Sequence, residues 1–190
     1  MEAFKTSEFT DHQRMDMARS NATSQAQLDA LSNDKNRYVR YYVAQNYNTS
    51  TETLEKLAGD SDYQVRCRVA ENPHATTGLL AVMAMDKNKY VRYYVAQNFN
   101  ASVDTLMALA RDKDYGVRCR VAENPHTTSA MLVDMAGDSS PYVRMYVARN
   151  PKTPMETLLK LTSDFESDVS IAAREAIERV ERAGMGFLRR

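Results

Sequence analysis

The eight residues VRYYVAQN at positions 39–46 recur along the chain and decide its fold. The same pattern, Val-Arg-x-x-Val-Ala-x-Asn, returns as VRCRVAEN at 65–72, VRYYVAQN at 91–98, VRCRVAEN at 117–124 and VRMYVARN at 143–150. Each copy begins 26 residues after the last. A constant period of this length is typical of structural repeats that stack on one another.

Other residues keep the same period and extend it toward both ends. Leucine recurs at Leu28, Leu54, Leu80, Leu106, Leu132 and Leu158, and aspartate at Asp34, Asp60, Asp86, Asp112, Asp138 and Asp164. We therefore divide the chain into repeats 9–34, 35–60, 61–86, 87–112, 113–138 and 139–164, followed by a divergent C-terminal cap, 165–183. Together these form one predicted solenoid domain, 9–183, between an N-terminal extension, 1–8, and a tail, 184–190.

Each repeat is expected to contain two short helices. Asn36 and its copies have side chains that can accept hydrogen bonds from a first helical turn, and Asn46 and its copies mark the end of that helix. The second helix opens with Thr49-Ser-Thr-Glu52, which has the spacing of a capping box, and reaches about Ala58. The sequence therefore predicts an all-α solenoid of about seven 26-residue two-helix repeats.

A longer period lies over the first. Repeats 35–60 and 87–112 match at 18 of 26 positions and repeats 61–86 and 113–138 at 17, whereas the neighbours 35–60 and 61–86 match at only 9. A block of two repeats has been duplicated, so the surface is expected to alternate in character from one repeat to the next.

Composition excludes several classes of protein. The 25 basic and 25 acidic side chains cancel, which removes the simplest electrostatic argument for nucleic-acid or membrane binding. No apolar run approaches the length of a membrane span, and the polar start does not resemble a secretory signal. Two cysteines are too few for a disulfide framework. We expect a soluble cytoplasmic protein with no membrane partner.

The fullest copy of the motif runs from Asp138 to Leu161 and reads Asp-x-x-x-x-Val-Arg-x-x-Val-Ala-x-Asn-Pro-x-Thr-Pro-x-x-x-Leu-x-x-Leu. It resembles the leucine-rich repeat variant family and, more loosely, HEAT-like repeats. The resemblance implies a right-handed superhelix, a second helix of either α or 3-10 type, and partner binding as the role. Some relatives carry a cysteine-ligated iron–sulfur cluster before the repeats. No cysteine precedes Cys67, so no cofactor is expected.

Three columns of polar residues invite a functional interpretation. An arginine column, Arg14, Arg40, Arg66, Arg92, Arg118 and Arg144, is either a ladder for phosphate groups or one half of a structural ladder with the aspartate column. We favour the structural interpretation, because a recurring opposite charge neutralises each arginine. The asparagine column that begins at Asn46 is expected to satisfy backbone groups where the first helix ends.

A stripe of tyrosine and arginine on the first helices is the best candidate for a partner-binding surface, because these residue types are enriched at binding hot spots. Its members are Tyr38, Tyr42, Arg68, Tyr90, Tyr94, Arg120, Tyr142, Tyr146 and Arg149. Arg120 of this stripe has no matching acidic column, and we expect it to be exposed. The alternative is that the tyrosines pack between neighbouring repeats with their hydroxyl groups in water.

Cys67 and His74, with their copies Cys119 and His126, lack a zinc-binding spacing, and packing explains the cysteines better. No phosphate-binding loop or hydrolase motif is present, so we predict no enzyme activity and no metal.

The leading hypothesis is a non-catalytic scaffold that binds another protein or a copy of itself. The alternative is a HEAT-like nucleic-acid-binding protein, in which the arginines contact phosphate and the tyrosines stack on bases.

Overall fold

The computed structural model describes the backbone of residues 6–187 and the side chains of these residues except 7 and 183–187. Within that range the chain forms a short 3-10 helix, Thr6–Glu8, and thirteen α-helices, with no strand. The predicted all-α class is confirmed. Residues 1–5 of the predicted N-terminal extension and 188–190 of the predicted tail lie outside the described residues.

The chain divides into two compact units, residues 1–102 and 103–190. The helices of the first unit are α1 (Asp11–Arg19), α2 (Gln25–Leu31), α3 (Arg37–Gln45), α4 (Thr51–Leu57), α5 (Tyr63–Glu71), α6 (Thr77–Met83) and α7 (Lys89–Gln97). In this unit α1, α3, α5 and α7 are the first helices of successive repeats, and each packs on the next.

The second unit has the same construction and ends in a longer helix. Its helices are α8 (Val103–Leu109), α9 (Tyr115–Glu123), α10 (Ser129–Met135), α11 (Pro141–Arg149), α12 (Met155–Leu161) and α13 (Ser167–Phe187). Here α9 packs on α11, and α13 packs on both α11 and α12. Each unit is therefore a stack of helical repeats, as the 26-residue period predicts. The single domain over 9–183 stays a prediction.

First helices of nine residues alternate with second helices of seven. Both kinds are α-helical, so of the two possibilities implied by the family resemblance, the second helix takes the α form. Asn36 caps α3 by accepting a hydrogen bond from the backbone N–H of Tyr38 at 2.9 Å, and Asp62 caps α5 in the same way through Gln64 at 2.8 Å. The predicted helix starts are confirmed.

The predicted capping box at the second helix is wrong by one residue. Ser50, rather than Thr49, caps α4 by accepting a hydrogen bond from the N–H of Thr53 at 3.2 Å. Thr49 is buried, and its hydroxyl donates to the carbonyl oxygen of Val43 at 2.5 Å. The threonine therefore satisfies the end of the first helix instead of the start of the second.

Valines and leucines of the repeated columns form the core. Val39, Val43 and Leu54 are fully buried, and the equivalent positions of the following repeats are at most 2% exposed. A helix of seven or nine residues is marginal alone in water, so this burial between neighbouring helices is what stabilises each repeat. The C-terminal cap differs, because it is one 21-residue helix, α13, which buries Val169 and Ala173.

The arginine and aspartate columns pair, which confirms the structural interpretation. In each pair the arginine Nε lies 2.5–2.7 Å from the aspartate Oδ2, and the partners are 20 residues apart. The pairs are Arg14–Asp34, Arg40–Asp60, Arg66–Asp86, Arg118–Asp138 and Arg144–Asp164. Little of these guanidinium groups is left for a phosphate ladder.

The asparagine column joins successive first helices, which goes beyond the predicted local role. Asn72 Nδ2 donates to the carbonyl oxygens of Ala44 at 2.8 Å and Asn46 at 3.2 Å, both in the preceding repeat. Its Oδ1 accepts from the N–H of His74 at 2.9 Å. These hydrogen bonds fix the register of successive first helices.

Candidate partner-binding groove

The structure divides the predicted tyrosine and arginine stripe into two sets. Tyr38, Tyr90 and Tyr142 are about half exposed, at 49%, 52% and 57%. The tyrosines four residues further along the same helices, Tyr42, Tyr94 and Tyr146, are half-buried. The packing alternative therefore describes Tyr42, Tyr94 and Tyr146, whereas partner binding by the exposed tyrosines stays a prediction.

The exposed set forms an edge at the starts of the first helices. In the first compact unit this tyrosine edge consists of Tyr38, Tyr63 and Tyr90, of which Tyr63 and Tyr90 stack with ring centroids 6.2 Å apart. Arg37 lies over the ring of Tyr38 at 4.8 Å, and Lys89 over that of Tyr90 at 5.4 Å. Sequence reasoning did not include Tyr63, which is one position earlier in its repeat than the stripe.

A second stacked pair lies within the second compact unit. Tyr115 and Tyr142 have ring centroids 5.6 Å apart and an angle of 24° between their planes. The 52-residue duplication thus places one aromatic pair in each compact unit.

The half-buried set forms a cation–aromatic ladder. In the first unit Arg68 Cζ lies 5.2 Å from the ring centroid of Tyr41 and 5.1 Å from that of Tyr94, and Arg19 lies 4.9 Å from Tyr42. Arg68 Nη2 also donates to the hydroxyl of Tyr94 at 3.3 Å. Such contacts fix both the cation and the rings.

The expectation that Arg120 is exposed and lacks an acidic partner is wrong, and Arg68 has the same kind of contact. Arg68 bonds to Glu71 and Arg120 to Glu123, in each case three residues later on the same helix. Their side chains are only 18% and 24% exposed. The columns of the sequence join positions 26 residues apart, whereas each of these acidic partners lies three residues after its arginine on the same helix.

Burial alone would lower the pKa of Arg68, but Glu71 and the neighbouring tyrosines raise it above its ordinary value. Its Nε is buried without a hydrogen-bond partner among the described residues, with aromatic rings on either side of the group. Arg68 is therefore a fixed cation that shapes the surface. Whether it, Arg120 and the tyrosines contact a partner stays a prediction.

The remaining members lie in the second unit. Arg120 Cζ is 5.8 Å from the ring centroid of Tyr146. Arg149 is exposed and borders a hollow with four residues of α13, namely Glu175, Glu178, Arg179 and Arg182. The structure thus places Arg149 beside the C-terminal cap, next to both acidic and basic side chains.

One concave feature of the first compact unit is a groove made of two adjoining hollows of about 210 and 270 Å³. Both hollows are bordered by Glu71 and Pro73, so they adjoin at these two residues. We call this feature the groove, and its main lining residues are Gln45, Tyr47, Arg68, Glu71, Pro73, Tyr94, Gln97 and Phe99. It contains Arg68 and Tyr94 of the predicted stripe.

Tyr47 and Phe99 are the groove residues that sequence reasoning missed. Their side chains are 65% and 71% exposed, more than any tyrosine of the predicted stripe. The signal was present in the column directly after the asparagine, which reads Tyr47, Pro73, Phe99, Pro125 and Pro151. Large aromatic residues occupy this column only in repeats 35–60 and 87–112, which are equivalent at the 52-residue period. The second compact unit has proline there.

The cysteine and histidine pairs differ in burial. Cys67 and Cys119 are buried free thiols, and burial raises the pKa of each to about 11. His74 and His126 lie at the surface. Within the described residues no cluster of three or more His, Cys, Asp or Glu side chains has the arrangement of a metal site. No helix in the same range has the length and apolar character needed to cross a bilayer.

These features define the class of the protein as an α-helical repeat protein of the solenoid kind. Its fold is similar to that of a leucine-rich repeat variant with a novel repetitive structural motif, with a TM-score of 0.69 and 27% sequence identity. The match covers 86% of this chain and 64% of that one, so this chain spans less than two thirds of that structure. The resemblance inferred from the repeated motif is confirmed.

A second solved structure, that of the Escherichia coli protein YibA, has the same kind of fold. Its TM-score is 0.58 at 17% identity, over 93% of this chain and 77% of that one. No family model matches the chain, and no curated protein matches it either.

Proposed function

We propose that this protein is a non-catalytic scaffold that binds an extended segment of another protein in the groove. The observation that carries the proposal is the exposure of Tyr47 and Phe99, which line two hollows that adjoin at Pro73. Exposed aromatic residues at a concave surface are the usual anchors of protein recognition. The two buried free thiols fit a reducing cytoplasm.

The contacts beneath the groove support the same function. The floor is fixed by Arg68 between aromatic rings, and the first helices below it are joined through Asn72 and its copies. A surface that is already ordered loses little conformational entropy when a ligand binds. A groove with two aromatic anchors therefore binds without first rearranging.

Selection from a random peptide display library tests this proposal. We expect the wild-type protein to enrich peptides whose affinity falls about 30-fold or more in the double variant Tyr47→Ala/Phe99→Ala, because the loss of even one hot-spot aromatic costs about 2 kcal/mol. Both side chains are largely exposed, so the variant keeps its fold, which circular dichroism and thermal unfolding verify.

The tyrosine edge supplies the matched control. Tyr38→Ala/Tyr90→Ala removes two tyrosines of about half exposure from the same compact unit but outside the groove. Enriched peptides should bind this variant as they bind the wild type. Peptides that bind the groove variant equally well, or a failure to enrich any peptide, would contradict the proposal.

The tyrosine edge favours a second candidate function, which is binding to nucleic acid. Stacked tyrosines beside Arg37 and Lys89 offer both base-stacking surfaces and cations. Against this, Arg37 is paired with Asp62 at 2.9 Å, and the chain has no net charge. Binding of a labelled single-stranded oligonucleotide that weakens steeply with salt and is lost in Tyr38→Ala/Tyr90→Ala would establish this second function.

A further inference from the structure

We infer that the groove receives a proline-rich segment in the polyproline II conformation with one basic residue near its centre. The inference rests on the proposed function and names the chemistry of the partner. It follows from the spacing of the repeats, from the residue types along the groove and from its accessible charge.

Spacing is the first argument. Packed helices lie about 8–10 Å apart, so neighbouring copies of a column on α3, α5 and α7 are separated by about that distance. A polyproline II helix has three residues per turn and rises about 3.1 Å per residue, which gives about 9 Å per turn. One turn of such a ligand therefore matches one repeat, and Tyr47 and Phe99 face positions about six residues apart in the ligand.

Residue chemistry is the second argument. Exposed aromatic rings are the surfaces on which proline rings dock in proline-recognition grooves, because the ligand is preformed and loses little entropy. The groove has Tyr47 at one end and Phe99 at the other. Gln45 and Gln97, both exposed, lie beside these rings and carry amide N–H groups that can donate to ligand carbonyl oxygens.

Charge is the third argument, and it selects a basic ligand. Both terminal nitrogens of Arg68 are engaged, one with Glu71 and the other with the hydroxyl of Tyr94. Glu71 gives one oxygen to Arg68, yet its side chain remains 43% exposed at the junction of the two hollows. The accessible charge at the centre of the groove is thus a carboxylate, which favours an arginine or lysine and disfavours phosphate or acidic peptides.

Three labelled twelve-residue peptides test the inference by fluorescence anisotropy. The first has proline at every third position and a central arginine, the second has the same composition with the proline spacing broken, and the third has glutamate in place of the arginine. We expect the first to bind with a micromolar Kd, and the other two to bind at least tenfold more weakly.

Protein variants locate the contacts. Tyr47→Ala and Phe99→Ala should each weaken the first peptide at least tenfold, while Tyr90→Ala on the tyrosine edge should leave its affinity unchanged. Glu71→Gln should weaken the arginine peptide several-fold but not a peptide with glutamine at that position. This double-mutant cycle isolates the pair from any general effect on the groove.

The outcomes separate this inference from the proposed function. Equal binding of the regular and broken-spacing peptides, or no binding of either, overturns the polyproline II inference. If the display library still enriches other peptides that require Tyr47 and Phe99, the groove remains a protein-binding site for a different ligand. If neither experiment gives groove-dependent binding, both proposals are overturned.

Discussion

Arg66 on the first helix of one repeat and Asp86 at the end of the same repeat are joined by two hydrogen bonds. These are Nε to Oδ2 at 2.6 Å and Nη2 to Oδ1 at 3.0 Å. The side chains are 7% and 12% exposed. Arg66 Nη1 also donates to the carbonyl oxygen of Asp60 at 2.7 Å, which ends the preceding repeat. One guanidinium group therefore connects the two helices of its own repeat and the repeat before it.

We expect Arg66→Ala to lower the free energy of unfolding by about 3 kcal/mol, because it leaves the partly buried Asp86 without its cationic partner. Urea denaturation followed by circular dichroism measures the loss. Arg37→Ala is the control, since Arg37 pairs with Asp62 but is half exposed, and its removal should leave the midpoint unchanged. An equal loss in both variants would show that burial of the Arg66–Asp86 pair does not explain its contribution to the free energy of unfolding.

The same pairs predict how stability depends on pH. The hydrogen bond from Arg144 holds the pKa of Asp164 below its ordinary value of 3.8. Burial would raise the pKa of Asp86 and Asp138, but Arg66 and Arg118 lower both below the same value. Because these folded-state pKa values are depressed, the stabilisation is present above the unfolded pKa and is lost as pH falls through the folded pKa.

We therefore expect a melting temperature that is constant from pH 7 to about pH 5 and falls steeply as pH drops below about 4. Asp164→Asn should be less stable than the wild type at pH 7, and this difference should shrink as pH falls from about 4 through the lowered pKa of Asp164, where the folded carboxylate becomes protonated. A difference that stays constant down to pH 2 would contradict the assignment.

The structural ladders could be predicted from the sequence because each is encoded in a column with one residue type. Arginine and aspartate recur with a constant offset of 20 residues, and their opposite charges make pairing the simplest explanation. The 26-residue period also predicted the positions of the helices and of the buried core residues. The same approach placed Thr49 at a helix start, because its spacing to Glu52 is that of a capping box, whereas Ser50 performs this role.

The groove could not be predicted in the same way, because exposure depends on neighbouring repeats. Tyr90 and Tyr94 lie on one face of α7, yet Arg68 of the preceding repeat reaches Tyr94 and leaves Tyr90 at the edge. Tyr47 and Phe99 follow the helices, outside the periodic apolar pattern, so helical periodicity assigns them no face. Their shared aromatic character is recognised only when the column directly after the asparagine column is compared at the 52-residue period.

Asn72 provides a test of the second ladder. It is 3% exposed and satisfies two carbonyl oxygens of the preceding repeat. We expect Asn72→Ala to cost about 2 kcal/mol or more, since unsatisfied buried polar groups cost about 1–3 kcal/mol each. Asn48→Ala is the control, because Asn48 is exposed and water can replace its bond to the carbonyl oxygen of Asn21. A loss in Asn48→Ala as large as that in Asn72→Ala would contradict the prediction.

Cys67 reports on the opening of a single repeat, because it is a free thiol that is 3% exposed and has a pKa raised to about 11 by burial. Both properties make it unreactive in the folded protein at pH 8, where a denatured thiol reacts readily. Cys119 is its copy in the other compact unit and has the same properties. Repeat proteins are stabilised by contacts between neighbours and open locally, so damage to one repeat should expose one thiol.

We expect Arg66→Ala to raise the rate of labelling of Cys67 by a thiol reagent at least tenfold while the rate for Cys119 changes less than twofold. Peptide mapping by mass spectrometry after timed labelling separates the two sites. Arg118→Ala should give the reverse pattern, since Arg118 pairs with Asp138 in the repeat that contains Cys119. Equal acceleration of both thiols in either variant would show that the protein opens as one cooperative unit, and the ladder pairs would then stabilise the whole chain rather than the individual repeats.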